Sequence, residues 1–152
     1  MTRERLELSG RLTVRVVDKG GRERGRVVHE NEIVNAGRTL IGQLLVGGAG
    51  AVPISHLAVG TSGTPPTPAD TALGAEIASI DRAPIEVTPL AGAIGLRVSA
   101  QVSSATTQAV GEAGLFNSSA HGSGTMYNRV AFPSPLPVAT DLDLFFEWDI
   151  TF

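Results

Sequence analysis

The closing run "DLDLFFEWDITF" alternates almost without fault, and that alternation limits what the chain can fold into more than any other feature. Leu142, Leu144, Phe146, Trp148, Ile150 and Phe152 share one parity, while Asp141, Asp143, Glu147 and Asp149 share the other. Side chains of a β-strand point to opposite faces in turn, so the segment predicts a strand with one apolar and one acidic side. A helix would scatter the same residues around its axis. Burying six large apolar side chains stabilises by about 1.5–3 kcal/mol each before entropy, so this strand is expected to lock the core. Phe145 alone interrupts the polar side, where an aromatic beside acids is a candidate anchor for a neighbouring molecule.

The rest of the chain supplies partners for such a strand. In "GRLTVRVVDKGGRERGRVVHENEIV", Leu12, Val14 and Val16 alternate with Arg11, Thr13 and Arg15. "DKGG" supplies turn residues, and a second β-branched run from Val27 to Val34 completes a hairpin signal. "NAGRTLIGQLLVGG" changes period: Leu40, Ile41, Leu44 and Leu45 fall on one helical face, Asn35 is placed to cap the start, and Gly47 to stop the end. "ISHLAVG" reads as a buried strand, and "TSGTPPTPAD" as a loop, because three prolines in four positions lack the amide donors a sheet needs. Thr67 or Asp70 is expected to cap one helical turn through "TALGAEIA". Strands then recur near 84–90, 94–103, 109–117, 125–132 and 141–152, the spacing of an all-β sandwich. Within the second, Leu96, Val98, Ala100 and Val102 oppose Arg97, Ser99, Gln101 and Ser103, as in a half-buried antiparallel strand. The expected fold is mainly β, a single antiparallel β-sandwich with an N-terminal β-hairpin and one or two short helices. Its parts are the hairpin at 1–34, a short helix at 35–47 and the sandwich core at 54–152.

With 152 residues the chain can close one core of its own. No run approaches the roughly 18 apolar residues of a membrane span. "MTRERLELSG" has charges with no apolar region behind them, so no signal peptide is expected. The absence of cysteine removes disulfides, thiolate metal sites and thiol nucleophiles. A net charge of −3 gives no electrostatic reason to expect nucleic acid. The charge is unevenly spread, however. Residues 1–38 hold nine basic and six acidic side chains, and residues 39–152 hold three and nine. Charged residues make up 18% of the chain, below the roughly 25% of ordinary soluble domains, which suits a surface set among neighbours.

Chemistry-bearing patterns are few. His29, His56 and His121 stand far apart, with no second histidine or acid at ligand spacing, and read as ordinary histidines on two strands and a loop. "VGGAGAV" and "HGSGT" lack the lysine and helix start of a phosphate cradle, and no nucleophile elbow or zinc-protease helix is present. Asp141, Asp143, Glu147 and Asp149 would stand about 7 Å apart along one face. That spacing fits an inverting glycosidase pair, and "DLD" offers oxygens to Ca²⁺. Any acidic strand makes the same spacing, though, so no catalytic residue, metal or cofactor is assigned. "NSS" at Asn117 matches a glycosylation acceptor, which matters only in a secreted eukaryotic protein. In "GEAGLFN", Glu112 has two readings: a carboxylate capping backbone amides at a sheet edge, or a solvent-facing turn residue.

Five blocks carry a resemblance. "IVNAGRTLIGQLLVGG", "ISHLAVGTSGTPPTPADTALGAEI", "VGEAGLFN", "GTMYNRVAF" and "FFEWDITF", in that order and spacing across residues 34–152, resemble a family of tailed-bacteriophage virion proteins. Related modules occur in tail-fibre, baseplate and collar proteins and in phage-like contractile particles, and the preceding hairpin fits the same pattern. One departure concerns the acid of "GAEI", often followed closely by an arginine in the family. Here Arg82 comes six residues after Glu76, so no salt bridge is carried over. No catalytic residue is implied.

The resemblance implies a non-enzymatic structural component of a phage tail or phage-derived contractile injection particle, assembled in the bacterial cytoplasm. Its partners would be copies of itself, as a trimer or ring, and other particle proteins. The candidate contact sets the arginines of the hairpin (Arg11, Arg15, Arg22, Arg24 and Arg26) against the acidic strand face of an adjoining copy: Asp141, Asp143, Glu147 and Asp149, with Phe145. The alternative is a small receptor- or carbohydrate-binding module for a host-surface glycan, using Tyr127 and Phe145. A carboxylate hydrolase is a third reading.

Overall fold

The computed structural model describes residues 7–152. The first six residues of the expected hairpin unit, on which the reading of a start without a signal peptide rests, lie outside the described residues. In chain order the elements are β1 (Ser9–Asp18), β2 (Glu23–Glu30), β3 (Glu32–Ile33), α1 (Asn35–Leu45), β4 (His56–Gly60), β5 (Ala83–Pro84), β6 (Glu86–Pro89), β7 (Gly95–Val102), β8 (Gln108–Phe116), β9 (Met126–Val138) and β10 (Leu142–Thr151). They form two antiparallel sheets, ordered β2-β1-β10-β7-β6 and β3-β9-β8-β4-β5, packed face to face as the expected sandwich.

The terminal strand is the centre of the first sheet. It pairs with β1 from Asp18↔Leu142 to Ser9↔Thr151, and with β7 from Val102↔Leu144 to Gly95↔Thr151. Leu144, Phe146, Trp148 and Ile150 are buried, and they share one core with Leu57, Val59, Leu115, Val130 and Phe132 of the second sheet. Leu142 is only half-buried. Phe152 lies beyond the paired stretch and is 49% exposed, so four of the six expected side chains are fully enclosed.

The local expectations divide in an instructive way. "DKGG" makes the β1–β2 turn, where the Asp18 carboxylate accepts the amides of Gly20 and Arg22 and Gly21 adopts φ 78°. The run from Val27 to Val34 is not one strand. β2 ends at Glu30, and after Asn31 the chain crosses to the other sheet, where Glu32 and Ile33 pair with Arg129 and Asn128. At the helix start the cap position is Val34, with no side-chain bond; Asn35 is already helical, and its amide donates to the Pro68 carbonyl at 2.8 Å. Gly47 does stop the helix, at φ 64°. Gly37 packs so tightly on the Tyr127 backbone that a β-carbon would collide with its carbonyl.

No helical turn forms through "TALGAEIA". Asp70 accepts the Thr67 amide and hydroxyl in a turn of their own, and Glu76 bridges to Gly60, so the segment runs extended beside β4. The prolines of "TSGTPPTPAD" do form a loop, yet β9 continues through Pro133, Pro135 and Pro137 to Val138. The difference lies in what flanks each stretch. β3 covers only Asn128 and Arg129, so among the described residues the second half of β9 has an outer margin with no strand to bond, and missing amides cost nothing there.

Candidate assembly surfaces

Three regions bring polar or exposed side chains together. The first is the outer face of the first sheet, where Asp143, Glu147 and Asp149 of the expected acidic residues lie. Its strand register sets Glu30, Arg11, Asp149, Arg97 and Thr88 in one row across five strands, so charges of opposite sign alternate over the first four. Arg97 holds Asp149 in two-point geometry at 2.7 and 2.9 Å and reaches Glu147 at 3.3 Å. Arg15 lies 3.6 Å from Glu147 and 5.4 Å over the Phe145 ring, and Asp143 accepts a hydrogen bond from Gln101 at 2.9 Å. Asp149 and Glu147 therefore already have cationic partners in their own chain. The arginine that supplies most of them, Arg97, was missing from the sequence-based site. The alternation that put Arg97 on the polar side of its strand was the available signal.

The remaining expected residues lie elsewhere. Arg24 pairs with Asp18 at 2.8 Å and Arg26 with Glu23 at 2.8 Å, both within the hairpin, while Arg22 is exposed at its tip. The Asp18 carboxyl is held below the usual carboxylate range chiefly by the Arg22 amide, against some desolvation, with Arg24 adding to the effect. Arg11 is exposed on β1. Asp141 sits in the turn before β10 rather than on the strand face, and lines a cleft with Arg24 and Arg26. The sugar-stacking candidates are both covered. Tyr127 is buried, with its hydroxyl pushed up to about 12 by desolvation, and Phe145 carries the Arg15 guanidinium on its ring.

The second region is an apolar end. Leu40, Ile41 and Leu44 of α1 line a groove with Ile54, Ile150 and Phe152. Beside it Leu45, Val46 and Ile94 are 76%, 82% and 79% exposed. Of the helical face predicted to be buried, Leu40 is buried and Ile41 half-buried against the core, while Leu44 and Leu45 are exposed.

The third region is a pair of ionic clamps on the second sheet. Glu112 is fully buried and accepts the amides of Ala75 at 2.7 Å and Gly74 at 2.9 Å, with Ser62 at 3.4 Å, so of its two readings the amide-capping one holds. Its other partner, Arg129 at 2.8 Å, also bonds Asp70 and the Thr64 carbonyl, each at 2.9 Å. Gly60 lies against the Glu112 carboxylate with no room for a β-carbon. Arg82 does pair with Glu76, in two-point geometry at 2.6 and 2.9 Å, despite the six-residue separation. It also donates to the Ser118 and Ser123 carbonyls and stacks 4.0 Å over Phe116. Burial pushes the Glu76 carboxyl up, but Arg82, the Gly122 amide and His121 (2.9 Å away) outweigh it and hold the value at about 2. No group of three or more potential metal ligands is gathered among the described residues. None of their helices is long and apolar enough to cross a membrane.

Comparison with known proteins finds no matching family model, curated protein or solved structure.

Proposed function

We propose that the chain is a non-enzymatic structural building block of a phage tail or phage-derived contractile injection particle, working as a homo-oligomer among other particle proteins. The observation that carries this reading is where the resembling sequence blocks meet. Asp70 and Glu76 of the second block, Glu112 of the third and Arg129 of the fourth join in the two clamps, and the first block begins with an amide bonded to Pro68 of the second. The Asp70, Glu76, Glu112 and Arg129 side chains spend their hydrogen bonds on neighbouring side chains and on backbone, which is scaffold work. The exposed apolar end adds support, since clustered large apolar side chains at a surface favour an assembled state.

The test is particle composition. After DNA damage is used to induce particle production in the native host, peptides of this chain should co-sediment with sheath and baseplate fractions in stoichiometric amount. Complete particles lacking the chain would overturn the reading.

A further inference from the structure

The margins of the two sheets are not alike. β3 and β5 are two residues long, and β5 ends in Pro84. β6 has four residues and ends in Pro89, and the uncovered half of β9 carries Pro133, Pro135 and Pro137. Short strands and prolines are two of the means of preventing edge-to-edge pairing, with edge charges and bulges; the one irregularity of β2 on β1 lies at the Gly25–Glu23 end, outside residues 26–30. β2 is the exception among the described residues: eight residues, no proline, and a free long side, since β1 is its only neighbour in the sheet.

We infer that β2 is a self-association edge, pairing antiparallel with β2 of a second copy about a two-fold axis through Val28. In an isologous contact of this kind, residue i faces j and j faces i. With Val28 opposite itself, Arg26 faces Glu30 of the second copy and Glu30 faces Arg26, on the same outer side of the sheet. The register of β2 on β1 places these three side chains outward, opposite Arg15, Thr13 and Arg11. Val28 is 44% exposed, an apolar side chain at the centre of a charged strand. Glu30 has no ion-pair partner within the chain among the described residues. Arg26 now holds Glu23 in an exposed local pair, which is weak enough to be exchanged. On the inner side the pairing sets Val27 against His29 of the second copy. Main-chain bonds supply affinity in such edge addition, and the charge order supplies register. A shift of two residues toward the turn would set Arg26 against Arg26. The result is one continuous ten-stranded sheet from two five-stranded ones.

This deepens the proposed assembly role but is tested separately from it. The chain has no cysteine, so Val28→Cys introduces a single thiol on the proposed axis. Mild oxidation should convert most of that variant to a covalent dimer of twice 15.7 kDa, at a concentration where a Lys19→Cys control at the hairpin tip cross-links at least tenfold less. Light scattering of the wild type should show dimer, or a multiple of it. Arg26→Glu and Glu30→Arg should each shift the mass toward monomer with unchanged circular dichroism, and the two together should restore the dimer.

A wild-type monomer throughout a concentration series, no excess cross-linking at position 28, or no recovery in the double variant would each overturn the contact. Should either charge variant fail to fold, the cysteine comparison decides. Particles that contain the chain while Val28→Cys stays uncross-linked would refute this edge and leave the particle role standing. A covalent dimer never found in particles would do the reverse.

Discussion

The two sheets use the same ion pairs in opposite settings. On the outer face of the first sheet, Arg97–Asp149 and Arg15–Glu147 lie in solvent, their side chains 29–44% exposed. On the second sheet, Glu112 and Arg129 are nearly inaccessible, and Arg82 is covered by Phe116. Exposed pairs contribute little, because water screens the attraction and long side chains lose freedom. A buried pair is not itself a large source of stability, but removing one partner leaves an uncompensated charge in the interior. The first sheet therefore has charges it can rearrange toward a neighbour, and the second has charges it cannot release. In the proposed assembly the first sheet is the one with charges to offer a neighbour, while the second holds the fold together.

The sharpest break of that contrast is at Glu112. Glu112→Ala strands the amides of Gly74 and Ala75 together with the Arg129 guanidinium, and should cost about 3–5 kcal/mol or prevent folding. Arg129→Met should cost less, since Glu112 keeps its amide donors and Asp70 keeps Thr67. Urea unfolding of both variants measures the order; an Arg129 variant weaker than the Glu112 variant would contradict it.

Next in size is the acid limb of stability. The folded Glu76 carboxyl sits at about 2 against an ordinary value of 4.5, so between those values the unfolded chain binds the extra proton. Its contribution, on the order of 2–3 kcal/mol, is complete above about pH 4.5 and is lost as the pH falls toward about 2. Glu76→Gln should lower the melting temperature at neutral pH and converge with wild type near pH 2. A constant gap between the two across that range would show that the Arg82 pair does not control the titration.

These sites also show what a sequence can and cannot disclose. The β10 alternation was legible because burial on one side of a strand imposes a period of two, whatever the partners are. The clamps were legible only in part. Glu112 before a buried strand suggested amide capping, but the donors lie 37 and 38 residues away in a loop whose path no local pattern sets. A six-residue separation gives no signal for the Arg82–Glu76 pair, which an extended chain closes across the loop 117–125. Asn35 does not cap because the helix starts one residue earlier than expected, with the Arg38 amide donating to the Val34 carbonyl. β9 runs past its expected end at 132 through three prolines, because proline forbids a ladder only where a second strand is present. For the clamps and β9 the missing information was which neighbour stood on the far side.

The smallest effect tests the exposed half of the contrast. Arg97→Ala removes the guanidinium that serves both Asp149 and Glu147, yet it should cost only about 0.2–1 kcal/mol, because that group is 44% exposed and its partners remain hydrated. The Arg97 guanidinium is held more strongly protonated by its hydrogen bond to Asp149, and added salt screens this exposed pair. Urea midpoints for wild type and variant should therefore approach each other between low salt and about 1 M, where the screening length falls to about 3 Å. The Glu112 deficit should persist over the same series. If Arg97→Ala instead destabilised as much as Glu112→Ala, and did so independently of salt, the outer row would be structural rather than exchangeable. The division of labour between the two sheets would then be wrong.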